Sequence, residues 1–246
     1  MLSKILLGFV MVLIVFPGCT PLGDGALRKS VADREGSVQG GVVKKESESD
    51  ADETLIDPAT RSIVRSYGSV IKHYAARYGL DWRLVLATMK QESRFSPEAK
   101  SHRGATGLMQ IMPVTSEELS RVFEVEDMSH PNDNIRGGVY YLRRLYDLFP
   151  GAQDGDRLKL ALAAYNAGIG RIYDAQDLAA YFHQNPLAWE SIKDALPLLS
   201  RRHSILHRNV WSQDRPRSGW FGNSGETLRY VENVMNNYDD YRLMLN

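Results

Sequence analysis

Glu92 lies at the end of the stretch "WRLVLATMKQES", residues 82–93. Trp82, Val85 and Met89 recur at the spacing that puts side chains on one helical face, and the next step of three reaches Glu92. On that register its carboxyl points into the domain, where burial favours the uncharged form and raises the pKa toward the 6 to 7 of tuned catalytic glutamates, a rise of roughly two units or more. Such an acid donates a proton at neutral pH and, once ionised, takes one back. Taken alone, the residue reads more simply as a helix-terminal glutamate pairing at the surface with Arg94 or Arg103. The loop that follows, "GATGLMQIMP" at 104–113, carries Gly104 and Gly107. Their backbones allow conformations and close approaches that other residues resist, although each glycine alone is more simply the mark of a turn.

The elements that must hold these residues are helical. Val64, Tyr67, Ile71, Tyr74 and Tyr78 step by three and four before Gly79 stops the run. Asp81 is a natural N-cap for the helix that leads to Glu92. "NIRGGVYYLRRLYDLF" sets Ile135, Val139, Leu142, Tyr146 and Phe149 on one face ahead of Pro150 and Gly151. "DRLKLALAAYNAG" and "ETLRYVENVMNNYDDY" supply two further helices. No alternating β-branched run is long enough for a sheet, so the expected fold class is mainly α, with room only for short strand pairing in a loop. Residues 58–246 are enough for a single domain with its own core, and no internal repeat appears.

Ahead of that domain, "MLSKILLGFVMVLIVFPGCT" shows one lysine, an apolar run from Ile5 to Phe16 and a small-residue break, the layout of an export signal over residues 1–18. The run is shorter than the roughly 20 apolar residues of a membrane-spanning helix. Cys19 is the only cysteine, so it has no partner for an internal disulfide. The segment Phe16-Pro17-Gly18-Cys19 resembles the lipobox of bacterial lipoproteins, in which the cysteine is lipidated; the plain alternative is an ordinary signal peptide with an incidental cysteine. Thr20 after the cysteine implies, by the sorting rule of that class, the outer membrane and a protein facing the periplasm. Residues 19–57 are rich in Gly, Ser and mixed charge without an aromatic residue, and read as a disordered tether with an end-to-end distance of about 35 Å. The 30 basic and 30 acidic side chains cancel, which argues against a nucleic-acid partner.

"ES" at 92–93, Ser101, "GATGLMQIMP", "NIRGG" at 134–138, "AYNAG" at 164–168 and "ETLRYVENV" at 226–234 follow one another in a pattern that resembles the lytic transglycosylases of the soluble type (SLT). Those enzymes share a lysozyme-like fold with goose-type lysozyme. The resemblance runs from about Gly68 to Tyr241. "YGLDWRLVLATMKQESRF" is most similar to the catalytic domain of the membrane-bound F-type enzymes, whose additional solute-binding-like domain finds no room here. The resemblance implies that Glu92 is the single catalytic acid and base, and that Ser93 and Ser101 hydrogen-bond near it or to a substrate acetamido group. It places Met109 and Gln110 on the floor of a saccharide groove, Tyr165 and Asn166 facing the glutamate, and Tyr230 against the same carboxyl. No second carboxylate is recognised in the matching motifs. The implied reaction is therefore cleavage of the β-1,4 bond between N-acetylmuramic acid and N-acetylglucosamine without water or cofactor, leaving a 1,6-anhydromuramyl end. The implied partners are peptidoglycan glycan strands and, through the lipid anchor, a membrane.

Plainer readings stand beside these. Tyr165, on the face of Leu158 and Leu162, is also an ordinary core tyrosine, Asn166 a helix-terminal turn residue and Met109 core filler. His203 and His207 have helical spacing but no third ligand and no HExxH, so no metal site is expected. The basic, aromatic stretch at 200–222 reads first as a solvated loop, and otherwise as a border of the groove that meets peptide-stem carboxylates. The competing functions are a goose-type hydrolase using Glu92 with water, an enzyme of chitin-like chains, and a non-catalytic murein-binding scaffold.

Overall fold

The computed structural model describes residues 56–245. The expected export signal, Cys19 and the tether up to residue 55 lie outside the described residues. Ile56 is buried, and Asp57 caps the first helix. The Asp57 carboxylate accepts hydrogen bonds from the Thr60 N–H and hydroxyl, and Pro58 occupies a first-turn position that needs no N–H donor.

That helix, α1 (Pro58–Tyr78), ends where Gly79 turns left-handed at φ 66°. Its buried line runs through Thr60, Ile63, Gly68, Ile71 and Ala75, while Tyr67, Tyr74 and Tyr78 flank the core half-buried. The expected stripe is thus rotated, because a tyrosine ring can pack while its hydroxyl stays near water. Helix α2 (Trp82–Ser93) follows an Asp81 cap that accepts from the Arg83 N–H. Every residue from Leu84 to Met89 is buried, so α2 is a central helix enclosed on nearly all sides, not one with a single inward stripe.

Helices α3 (Pro113–Phe123), α4 (Pro131–Asp147), α5 (Asp154–Ala167) and α6 (Ile169–Tyr181) follow in the chain. Ile135, Val139 and Leu142 of α4 are fully buried as their spacing predicts; the helix stops at Asp147, so Phe149 packs from the turn beyond it. Short helices α7 (Trp189–Ala195) and α8 (Ser204–Val210), joined by two 3₁₀ turns, lead to the long α9 (Ser224–Met244). α9 lies against α2 and α5, and α4 lies between α1 and α5. Among the described residues the only β pairing is two isolated bridges, Lys100 with Thr106 and Thr106 with Ile111. No described helix is long and apolar enough to cross a membrane.

Candidate active site

The loop between α2 and α3 decides the shape of the site. It leaves α2 through two consecutive left-handed residues, Arg94 at φ 51° and Phe95 at φ 66°. It then folds back on itself, with the Gly107 N–H donating to the Ala99 carbonyl at 2.9 Å. Gly107 has φ 78°, and a Cβ there would fall 2.5 Å from the Asn134 side chain. Asn134, fully buried at the start of α4, accepts from the Met109 N–H at 2.8 Å and donates to the Thr106 and Met128 carbonyls at 3.0 Å each. Gly138, one turn further, leaves the space that Met109 fills, since a Cβ would meet the Met109 side chain at 2.4 Å. The glycines and asparagine of "GATGLMQIMP" and "NIRGG" are therefore one joint, in which buried polar groups satisfy each other so that the loop holds a single shape.

Against this loop α2 delivers Glu92 and α9 delivers Tyr230. The Tyr230 hydroxyl donates to Glu92 Oε1 at 2.6 Å. Part of the Glu92 side chain remains open to a groove, but protein surrounds the carboxyl, and burial pushes its pKa up from 4.5 to about 7, with the Tyr230 hydrogen bond pulling the other way. Burial, followed by the nearby Glu92 carboxylate, holds the Tyr165 and Tyr230 phenols well above their usual value, so both remain donors at neutral pH. The Tyr165 hydroxyl donates to the Met109 carbonyl at 2.7 Å, tying α5 to the loop.

The groove has a volume of about 450 Å³, with Glu92, Ser101, Gln110, Tyr165 and Asn166 among its lining residues. The Gln110 amide donates to the Ala99 and Gly107 carbonyls, which leaves its oxygen as the acceptor. Asn166 accepts from the Thr227 hydroxyl at 2.8 Å, leaving its NH₂ as a donor. Ser101 accepts from the Ala105 N–H at 3.0 Å. Fixed acceptors and donors around one protonated carboxyl suit a polyhydroxylated ligand carrying amides.

Three of the expected site residues do not line the groove. Ser93 is buried and its hydroxyl donates back to the Met89 carbonyl at 3.1 Å, so it serves the helix and not the groove. Met109 is fully buried and does not line the groove; its backbone donates to Asn134 and accepts from Tyr165, which fixes the loop. Tyr230 is likewise buried and acts on Glu92 without lining the groove.

Other residues enter unforeseen. Trp220, 41 % exposed, and Phe221 form a wall, each with an arginine over its ring, Arg201 at 5.0 Å and Arg171 at 4.8 Å. The stretch at 200–222 is thus not a solvated loop: it contains α8, buries His207 and Trp211, and ends on the groove. His207 bonds the Leu198 carbonyl through Nε2 at 2.8 Å, while His203 is exposed, and no group of His, Cys, Asp and Glu among the described residues has a metal-binding arrangement. Glu226, in the first turn of α9, also lines the groove and accepts from the Asn223 amide at 2.6 Å. The expectation that the motifs hold no second carboxylate is corrected here, because Glu226 opens "ETLRYVENV" one helical turn before Tyr230.

Residues 69–186 match the family model described as "Transglycosylase SLT domain". The membrane-bound lytic murein transglycosylase F of Desulfosudis oleivorans is 37% identical over 171 residues, a match covering 69% of this chain and 35% of that protein. Its namesake in Aeromonas hydrophila is 35% identical over 179 residues, covering 72% and 33%. The chain therefore spans about a third of the length of these curated relatives. The structure of an inactive mutant of the lytic transglycosylase Slt from Pseudomonas aeruginosa superposes with a TM-score of 0.54 at 28% identity, covering 80% of this chain and 29% of that one. The 70 kDa soluble lytic transglycosylase of Escherichia coli, at 24% identity and a TM-score of 0.51, shares the fold, covering 73% and 24%.

Proposed function

Residues 69–186 belong to the transglycosylase SLT family, and from that premise we propose that this protein is a lytic transglycosylase of peptidoglycan with Glu92 as its acid and base. The observation that carries the reading is the Glu92 carboxyl itself, buried, held by Tyr230 and poised near pH 7 at the groove. The relatives' names agree in naming murein.

The chemistry follows from which oxygen is free. Oε1 accepts from Tyr230, so Oε2 is left to carry the proton. Glu92 gives that proton to the glycosidic oxygen as the bond to the muramyl C1 breaks, and the N-acetylglucosamine leaves as an alcohol. The sugar's own acetamido oxygen steadies the cationic C1. Glu92, now a carboxylate, takes the proton of the 6-hydroxyl as O6 closes on C1, which restores the acid and forms the 1,6-anhydro ring with no water consumed. A pKa near the working pH suits a group that must both give and accept a proton. Gln110, Asn166 and Ser101 hold the sugar amides and hydroxyls, and Trp220 offers a face for a ring.

Glu226 supports a second reading. A second carboxylate in the groove could activate water, which would make the protein a hydrolase. Digestion of sacculi in oxygen-18 water separates the two: the lyase gives anhydromuropeptides without label, whereas labelled reducing ends at the earliest times would overturn it. The anchor is proposed on the lone Cys19 behind its apolar run. Cys19→Ser should then move the protein from membrane to soluble fractions, and unchanged fractionation would remove the anchor.

A further inference from the structure

Trp220 and Phe221 reach the groove from a turn that α6 holds from behind. Asp174, buried on α6, accepts from the Arg217 N–H at 3.0 Å on Oδ1 and from the Ser218 N–H at 2.8 Å on Oδ2. One helical turn later, Asp177 accepts from Trp211 Nε1 at 3.0 Å and pairs with the Arg217 guanidinium at 3.4 Å. One turn earlier, Gly170 makes room for Ser218, since a Cβ there would fall 2.3 Å from the Ser218 hydroxyl. Gly170, Asp174 and Asp177 follow at steps of four and three, so one stripe of α6 seats the turn. None of the three lines the groove.

The seat decides where the chain beyond it runs. Gly219, at φ 80°, turns the backbone with its N–H on the Pro216 carbonyl at 3.0 Å, and the Phe221 N–H then bonds the Leu199 carbonyl at 3.0 Å. Trp220 lies between these fixed points, with its ring partly open. Packing alone does not call for an acid at position 174. A buried carboxylate costs free energy unless hydrogen bonds offset it, and an apolar side chain would fill the space without that cost. What the carboxylate adds is direction, because its two oxygens meet two successive backbone N–H groups and leave the turn one position against α6.

We propose that Asp174 and Asp177 are positioning residues of the groove, which act through residues 217–219 to hold the Trp220 ring where a sugar ring of the glycan lies against it. The inference deepens the proposed function and rests on it for the identity of the ligand. The two carboxylates touch no substrate, so they serve binding and leave proton transfer to Glu92.

The test compares the full chain with Asp174→Asn, with Trp220→Ala and with their combination, on soluble glycan strands of peptidoglycan. Asparagine keeps the volume of Asp174 but turns an NH₂ toward one of the two N–H donors, so the turn loses that contact. Asp174→Asn should raise KM by about tenfold, the scale of one hydrogen bond, with kcat held within about twofold. The combination should raise KM no further than Trp220→Ala alone, because both changes remove the same contact. An unchanged KM, a kcat loss larger than the KM rise, or two effects that multiply would overturn the proposal. Acrylamide quenching of Trp220 fluorescence, taken as the difference between each protein and its Trp220→Phe counterpart, gives a readout independent of turnover. It should rise in Asp174→Asn, and unchanged quenching overturns the proposal. If no form cleaves the strands, the proposed function has failed and the quenching decides the positioning alone. If Asp174→Asn does not fold, Asp177→Asn decides in its place, since it keeps an acceptor for Trp211 and loses only the Arg217 ion pair. It should show the same changes in KM and quenching in smaller measure, and no change in either overturns the proposal.

Discussion

Two glutamates face one groove and are held in opposite ways. Glu92 ends α2, enclosed by the core and a tyrosine hydroxyl, and its carboxyl keeps its proton to about pH 7. Glu226 begins α9, exposed, with an asparagine amide on its carboxylate and the free N–H groups of a helix start beside it. Burial raises the proton affinity of the first carboxyl, while the second stands open to solvent at a helix start. Residue type is therefore a poor guide to role, and enclosure a good one.

The contrast is broken most severely by Glu92→Gln, which keeps the shape and cannot cycle a proton. Turnover of peptidoglycan should fall by about 10²- to 10⁴-fold in a folded protein. Near-normal clearing of sacculi by that variant would remove Glu92 from the mechanism.

The same substitution should also stabilise the fold, and pH shows why. The folded carboxyl binds its proton more tightly, at about 7, than the ordinary value of 4.5. Its contribution to stability is fully present below about pH 4.5 and is lost as pH rises through about 7. That loss is on the order of 3 kcal/mol at most, since the side chain is partly open to the groove. Glu92→Gln has nothing to ionise, so it should gain up to that amount over wild type near pH 8 and nothing near pH 4. Denaturant unfolding at the two pH values checks the sign, and an advantage that grows toward acid would contradict the burial account.

Glu226→Gln sharpens the comparison with the smallest effect. A surface charge with one side-chain partner contributes about 1 kcal/mol or less, so turnover should fall by about fivefold or less, with the anhydro product unchanged. A loss as large as that of Glu92→Gln would make the two carboxylates catalytic equals and favour the hydrolytic reading.

Much of this was legible before any coordinates. The helical class followed from apolar periodicity, and the inward register of Glu92 from Val85 and Met89. The burial of Met109 was not legible, because a motif records that a residue is needed without saying whether its side chain or its backbone is used. Ser93 illustrates the same limit, since a serine near a helix end serves the helix carbonyls as readily as a ligand. Trp220 and Phe221 carried one available signal, an aromatic pair between glycines in "SGWFG", and Glu226 carried another, four residues before Tyr230 on the same helical face.

What the sequence determined by itself is local: periodicity, caps and turn residues depend on neighbours within a few positions, and these specify the helices and the order of the motifs. The joining of Glu92 to Tyr230 across 138 residues, of Tyr165 to Met109 across 56 and of Asn134 to Met109 across 25 was decided only by the tertiary structure. A proton affinity set by burial belongs to that second kind, because desolvation depends on everything packed around the carboxyl and on no single neighbour in the chain.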